Sequence, residues 1–346
     1  MDLLGAVDRG RRDSLSVDPL TLELARAGSR ERDSRLAAFL TLFAVVSQHR
    51  PKDSSEKGLE PWVWVVMTAT LGFLSSLAVN LGLSLQVSLR GVDPAFPHGA
   101  DQRYLALLGW GFLVPFVWGF SAKWMRVLLG LRVFRTRFLY VTVVANLAGV
   151  ALALFGRFTP VTVLFLLAVG LSIVAIRIFE TSEQEAKIKG IHKSFPVFVR
   201  IAYGWLLVAA GLGVAANFFD TSGGFWGASR HALTVGFVST MVLAVGQRIL
   251  PAFAGMRLLW SPRLMFAGLF LLTIGCTLRV SSEVLAYQGY APWAWHVLPV
   301  SALSELTALS VFATNLLCTF LLQPSHAVNE PMMVSLAQIA IEANSR

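Results

Sequence analysis

Eight apolar segments, each long enough to cross a lipid bilayer, follow one another along the chain and restrict its fold. They cover approximately residues 62–85, 103–121, 138–156, 161–180, 196–219, 230–250, 263–283 and 296–322. A helix rises about 1.5 Å per residue, so about 20 apolar residues cross a hydrocarbon core of about 30 Å. The composition agrees, because 55% of the residues are hydrophobic and only 14% are charged. The sequence therefore predicts an all-α, polytopic helical membrane protein with about eight transmembrane helices.

The distribution of Lys and Arg between these segments predicts how the chain is oriented. Residues 121–137, 181–195 and 248–263 are rich in Lys and Arg, whereas the alternate ends carry single arginines, namely Arg90, Arg157, Arg230 and Arg279. Positive charge resists translocation, so we expect the basic connections and both termini in the cytoplasm. The net charge of +9 lies in short connections and not on one face. That distribution favours the lipid bilayer as a partner and argues against nucleic acid.

The chain divides by composition into three parts. Residues 1–60 form a polar N-terminal region with ten basic and ten acidic residues, residues 61–323 form the transmembrane helical domain, and residues 324–346 form a polar tail. Following the distribution of positive charge, we expect both polar parts in the cytoplasm. Cys276 and Cys318 lie inside apolar segments, so neither a disulfide nor a zinc site is indicated.

A pattern of residues recurs after 125 positions and indicates an internal repeat. The first copy consists of Gly111-Phe112, Lys123 and Gly130-Leu131-Arg132, and the second of Gly236-Phe237, Arg248 and Gly255-Met256-Arg257. The copies lie four apolar segments apart and begin on the same side of the membrane. They therefore predict a parallel repeat of four spans, with units at about residues 101–220 and 226–323.

The segment from Arg230 to Arg257 carries the residue of greatest chemical interest, His231. Sixteen residues without an ionisable group separate His231 from Arg248, which places the two about 25 Å apart along a helix. An ionisable residue in a spanning segment is costly and is therefore a candidate for function. The alternative is an interfacial histidine that only contacts water.

The residues around His231 also resemble a known family. The segment HALTVGF (231–237), followed by an arginine and a Gly-x-Arg turn, resembles the NnrS family, and DQRYLALLGWGFLVPFVWGFSAKW (101–124) resembles an earlier repeat of that family. NnrS proteins are haem- and copper-containing proteins of the bacterial inner membrane that are linked to nitric oxide tolerance, and they are distantly similar to haem-copper oxidase subunits. The chain would be an atypical and shortened member, because Ala106 stands where the family has a histidine and a first repeat is absent.

This resemblance implies a protein of the bacterial inner membrane that binds or responds to nitric oxide, with His231 as a haem or copper ligand. His98, His231 and His296 all map to the outer side. We therefore expect His231 and His296 as a pair of metal ligands, which requires the sixth and eighth spans to be neighbours. The alternatives are a solvated loop position for His98 and an interfacial position for His296.

Three further residues, Glu305, Arg103 and Tyr104, complete the predicted site, and Arg279 and Glu283 lie at the outer end of the seventh span. Glu305 lies inside the last apolar segment, where it would either pair with Arg279 or relay protons as a catalytic residue. Arg103 and Tyr104 could orient a haem propionate or another substrate group, the alternative being that they only anchor a helix end. Arg279 and Glu283 lie four residues apart on one helical face.

These observations lead to one functional hypothesis and one alternative. The first is an NnrS-like membrane protein of the nitric oxide response, with haem or copper near the outer membrane face. The alternative is a metal-free transporter or a structural subunit of a membrane complex of the respiratory type, in which another membrane subunit supplies the missing repeat. No motif of a soluble enzyme is present, so the sequence leaves open whether the protein is an enzyme.

Overall fold

The computed structural model describes residues 60–90, 95–186, 190–253 and 258–322. Within these ranges the secondary structure is entirely helical, and eight helices are long and apolar enough to cross a membrane. They are α1 (Pro61–Leu89), α2 (His98–Leu129), α3 (Thr136–Leu154), α4 (Phe158–Ile176), α5 (Phe195–Phe219), α6 (Gly224–Phe253), α7 (Pro262–Tyr287) and α8 (Ala294–Leu321). The all-α class and the eight long apolar helices are thereby confirmed. The predicted N-terminal region (apart from Glu60) and the tail 324–346 lie outside the described residues.

Helix packing follows the order of the chain. Helices α3 and α4 form one antiparallel hairpin, and α7 and α8 form another. Helix α1 packs on α2, while α5 lies between α4 and α6. Helix α8 contacts α6 through residues 240–253, in the half of α6 that does not contain His231. We call the end where the even-numbered helices begin the His231 end of the bundle.

Glycines permit a close approach of α1 to α2. A Cβ atom on Gly72 would collide with the carbonyl oxygen of Gly111, and one on Gly119 would lie 2.7 Å from Cγ2 of Val66. In a bilayer, helix association depends on close packing, because lipid tails are as apolar as the helix surfaces. The backbone-to-backbone contact at Gly72 therefore fixes where α1 crosses α2.

Two of the eight long apolar helices, α2 and α6, contain a π-helical segment. The segments are Leu107–Leu113 in α2 and Ala232–Ser239 in α6, and their first residues lie 125 positions apart. A π turn widens the helix and interrupts its ordinary hydrogen-bond ladder. Side chains bond the carbonyl oxygens in these turns: Asn146 Nδ2 donates to the Trp110 oxygen at 2.7 Å, and Ser239 Oγ to the Thr234 oxygen at 2.9 Å.

The helices extend beyond the apolar segments, which changes the position of several polar residues. The predicted sixth span began at residue 230, but α6 begins at Gly224. His231 therefore lies two turns inside the helix and not at its first turn. In the same way Arg103 and Tyr104 lie in the second turn of α2. Polar residues can continue a helix as well as apolar ones do. Hydropathy therefore located the apolar part of each helix but not the helix ends.

Opposite the His231 end, a buried amide ties α6, α8 and the segment before α7 together. Asn315 Nδ2 donates to Oε1 of Gln247 at 2.7 Å and to the carbonyl oxygen of Ser261 at 3.0 Å. Its Oδ1 accepts the Ser261 amide at 3.1 Å, while Thr319 Oγ1 accepts the Trp260 amide at 3.0 Å. Asn315 is completely buried, and these bonds satisfy polar groups that cannot reach water.

Candidate functional site

His231 forms the centre of a polar cluster between α6 and α7. Its Nδ1 lies 3.2 Å from the carbonyl oxygen of Gly227, one turn earlier in α6, and 2.7 Å from Oε2 of Glu283 in α7. Both neighbours are acceptors, so Nδ1 carries the ring proton. The N–H direction fits the carbonyl, and the contact with Glu283 is electrostatic, because Oε2 has no hydrogen-bond donor among the described residues. The ring is therefore held through Nδ1, and Nε2 makes no hydrogen bond to any of the described residues.

Glu283 is the buried charge of the cluster, with 8% of its side chain exposed. Arg279, one turn earlier on the same helix, places Nε 3.7 Å from Oε2 of Glu283. The prediction that these two residues share one face of α7 is confirmed by this ion pair. Gly227 leaves room for the carboxylate, because a Cβ atom there would collide with Oε1 of Glu283. A buried carboxylate is costly without a partner, and Arg279 supplies a cationic partner beside the imidazole of His231.

Glu305 approaches the cluster from α8, but not as the sequence suggested. The predicted ion pair between Glu305 and Arg279 is wrong, since the ion pair of Arg279 is with Glu283 on its own helix. Oε1 of Glu305 is buried and has no hydrogen-bond partner among the described residues. Its Cγ packs on Gly275 of α7, where a Cβ atom would come within 2.7 Å. His231 and Arg279 are close enough to act on Glu305 electrostatically. Glu305 thus faces the cluster without a direct contact.

His296, Arg103 and Tyr104 are placed apart from this cluster. His296 is exposed in the first turn of α8, and its ring makes no hydrogen bond or ion pair within the described ranges. Arg103 is exposed and lies over the α3–α4 turn, with Nη2 3.2 Å from the position of a Cβ atom on Gly156. Tyr104 packs edge-on against Phe96, with ring centroids 6.4 Å apart. The described contacts therefore do not join His231 and His296 as a pair.

Sequence reasoning missed three contributors to the cluster. Glu283 was expected only as a partner of Arg279, and Gly227 was not considered. Cys276, interpreted as a small hydrophobic residue, places Sγ 4.0 Å from the carbonyl oxygen of His231, which is a weak S–H contact. The spacing of Cys276, Arg279 and Glu283 puts all three on one face of α7. That polar face was the signal in the sequence that pointed to a neighbouring ionisable residue.

The geometry can be tested against the metal groups that the family resemblance implies. Ligating histidines usually direct their other ring N–H to a carbonyl or carboxylate, and Nδ1 of His231 faces both. Within the described ranges, no group of three or more His, Cys, Asp and Glu side chains lies close enough to hold a metal ion. Copper usually takes two or three imidazoles, whereas haem iron needs one or two axial ligands. The cluster fits a single axial ligand of haem better than a copper site.

Comparison with known proteins gives a family without an assigned activity. Residues 95–318 match a family described as a domain of unknown function (DUF8744). The match covers α2 to α8 almost completely and includes the whole of the cluster. No curated protein matches the chain significantly.

Proposed function

We propose that this chain, which belongs to the DUF8744 family, is a multi-pass membrane protein of the nitric oxide response that holds haem, or less favourably copper, through His231. One observation carries the proposal: Nδ1 of His231 is fixed between the Gly227 carbonyl oxygen and Glu283, so Nε2 is the nitrogen left to bind a metal. Metal-binding histidines are commonly oriented in this way. The ring is 31% exposed, so a metal group can reach it from outside the bundle.

Each residue of the cluster has a separate task in this proposal. Nε2 of His231 would hold the haem, and the haem would supply a binding place for a gaseous ligand such as nitric oxide. Glu283 orients the ring, while Arg279 offsets the buried carboxylate charge. Glu305 is the candidate for proton relay, because its Oε1 is buried and has no hydrogen-bond partner among the described residues. His296 stays a candidate for a second ligand, and Arg103 and Tyr104 stay candidates for orienting a propionate.

The NnrS-like character and the location belong to the same proposal. The two π-helical segments, 125 residues apart, support the four-span parallel repeat. We place the protein in the bacterial inner membrane with both termini in the cytoplasm, following its distribution of positive charge. The proposal leaves room for another membrane subunit.

Absorption spectroscopy and metal analysis of the purified full-length protein test the proposal. We expect a Soret band that His231→Ala abolishes and that His98→Ala, a control at an exposed histidine, leaves unchanged. Glu283→Gln keeps a neutral acceptor, so we expect the band to persist with haem affinity lowered about 10–100-fold. Loss of the band in His296→Ala as well would support the paired ligand set. Folded protein that contains no haem or copper and does not bind added haemin would contradict the proposal.

A metal-free transporter or a structural subunit is the second candidate. Its support is the buried charge within the spanning helices, since Arg279, Glu283 and Glu305 carry polar atoms without a hydrogen-bond partner among the described residues. Such residues commonly mark ion or substrate pathways in membrane proteins. Proton uptake into proteoliposomes tests this candidate, and a flux that Glu305→Gln removes in haem-free protein would favour it.

A further inference from the structure

A small, partly open cavity lies between α2, α4, α5 and α6 at the His231 end of the bundle. Its volume is about 60 Å³. The inner wall is formed by buried residues, among them Trp110, Phe165 and Leu233, and the half-buried Gln102 and Arg230 line it nearer the helix ends. The cavity is separate from the ring of His231, but Arg230 directly precedes that residue. The cavity therefore adjoins the candidate site without belonging to it.

Ring packing and small side chains shape this cavity. Trp110 and Phe165 stack with their centroids 4.3 Å apart and their planes 9° from parallel, which makes one rigid wall. On the opposite helix α5, Ala209, Ala210 and Gly213 line the space. Larger residues at these buried positions would fill the cavity.

The two hydroxyl groups of the cavity wall are already paired. Ser229 Oγ donates to the carbonyl oxygen of Ala209 at 2.8 Å. Thr162 Oγ1 donates to the carbonyl oxygen of Thr159 at 3.0 Å and accepts from Asn217 Nδ2 at 2.6 Å. These hydroxyls therefore have no free hydrogen to offer a ligand.

Arg230 is the charged residue among those that line the cavity, and neighbouring groups compensate its charge. Its Nη2 donates to Oε1 of Gln102 at 2.6 Å, and the carboxylates of Asp101 and Glu283 act on it electrostatically. An anion would meet these two carboxylates as well as the guanidinium. The chemistry of the wall consequently favours an uncharged and apolar ligand over an anion or a polar one.

We propose that this cavity binds a dissolved gas, an uncharged and apolar molecule of two or three atoms. The cavity is much smaller than the roughly 150 Å³ cavities that accept benzene, so it suits a molecule of a few atoms. The cavity gives the gaseous ligand a place beside the His231 cluster, and the inference rests on the proposed function only in selecting nitric oxide among gases.

Xenon is a suitable probe, because it is apolar and uncharged and its binding does not require haem. Full-length protein labelled with 5-fluorotryptophan is studied by fluorine NMR under increasing xenon pressure, with the Trp110 and Trp226 signals assigned through their Phe variants. Both residues line the cavity, whereas Trp124 is exposed near the opposite end of α2. We expect saturable shifts at Trp110 and Trp226 and only a linear solvent shift at Trp124.

Two variants of different size keep this test decisive. Ala210→Leu fills the cavity and should abolish the saturable shifts, while Ala313→Leu, at an exposed position of α8, should leave them unchanged. Gly213→Ala is milder, since its Cβ would lie 3.5 Å from Ser229 Oγ and 3.7 Å from Thr162 Cγ2, in ordinary contact. If Ala210→Leu does not fold, weakened xenon binding in Gly213→Ala still supports the site.

Shifts at Trp110 that are linear, or that persist in the folded cavity variants, would overturn the inference. This outcome is distinguishable from failure of the proposed function, because the xenon shifts do not depend on metal. Saturable xenon binding in protein without a Soret band would retain the cavity site and remove the haem. A Soret band without xenon binding would retain the haem and remove the cavity site.

Discussion

Nδ1 of His231 lies 2.7 Å from Oε2 of Glu283, and this contact joins helices α6 and α7 inside the bundle. Only the absence of a side chain at Gly227 allows the carboxylate to come so close, since a Cβ atom would overlap Oε1. A buried carboxylate and an imidazole thus share a space that one glycine provides. The geometry of the cluster is therefore sensitive to the smallest possible substitution at that position.

We predict that Gly227→Ala displaces the Glu283 carboxylate from His231. A buried charged group that loses its partners costs about 1–3 kcal/mol or more, so the unfolding midpoint in detergent should fall. Haem affinity should fall with it if His231 is the ligand. Gly204→Ala is the matched control, because a Cβ atom at Gly204 meets nothing within 4 Å. Equal midpoints for the two variants would show that the carboxylate position is not constrained.

We predict that Gly72→Ala separates α1 from α2. The new Cβ atom would overlap the carbonyl oxygen of Gly111, which is backbone and cannot rotate away. Gly82→Ala, ten residues further along α1 and with nothing within 4 Å of its Cβ position, should be neutral or slightly stabilising. Crosslinking between cysteines introduced on α1 and α2 measures the separation. Undiminished crosslinking in Gly72→Ala would contradict the close crossing.

We predict that Asn315→Leu loosens the segment before α7. The Ser261 amide loses its acceptor and Gln247 loses a donor, at a cost of about 1–3 kcal/mol. Hydrogen exchange should accelerate at the Ser261 amide more than at Trp260, whose acceptor is Thr319. Thr314→Leu changes the neighbouring, exposed residue and serves as the control. Unaltered exchange at Ser261 would mean that another group satisfies this amide.

We predict an acid-sensitive contact in the connection between α4 and α5. Arg177 donates from Nε to Oε2 of Glu180 at 2.7 Å, and this hydrogen bond holds the pKa of Glu180 below its ordinary value of 4.5. Since the folded-state pKa is lowered, the contribution to stability is present above the ordinary value and disappears as pH falls through the lowered pKa.

Unfolding midpoints of the wild type and of Glu180→Gln, measured against pH, test this contact. Their small difference should be largest near neutral pH and vanish in acid. Glu185→Gln, at an exposed position, should show no such pH dependence. A difference between wild type and Glu180→Gln that stays constant with pH would assign the effect to packing and not to charge.

Contacts within one helix were predictable, and those between helices were not. Arg279 and Glu283 lie one turn apart, so their ion pair followed from helical geometry alone. The expected ion pair between Arg279 and Glu305, which lie on different helices, was wrong. Arg279 pairs with Glu283 on its own helix instead. The predicted pairing of His231 with His296 also required a contact between helices, and α8 meets α6 in the other half of that helix.

The sequence by itself determined that the described part of the chain is helical, with eight long apolar helices, since about 20 apolar residues in succession have few other stable arrangements in a bilayer. It also singled out His231 as an ionisable residue that needs an explanation. The tertiary structure alone decided what surrounds that ring: Glu283 from α7, the Gly227 carbonyl and the more distant Glu305. The reason is physical, because which faces of two helices meet depends on close packing over their whole length, and single glycines decide how near they come.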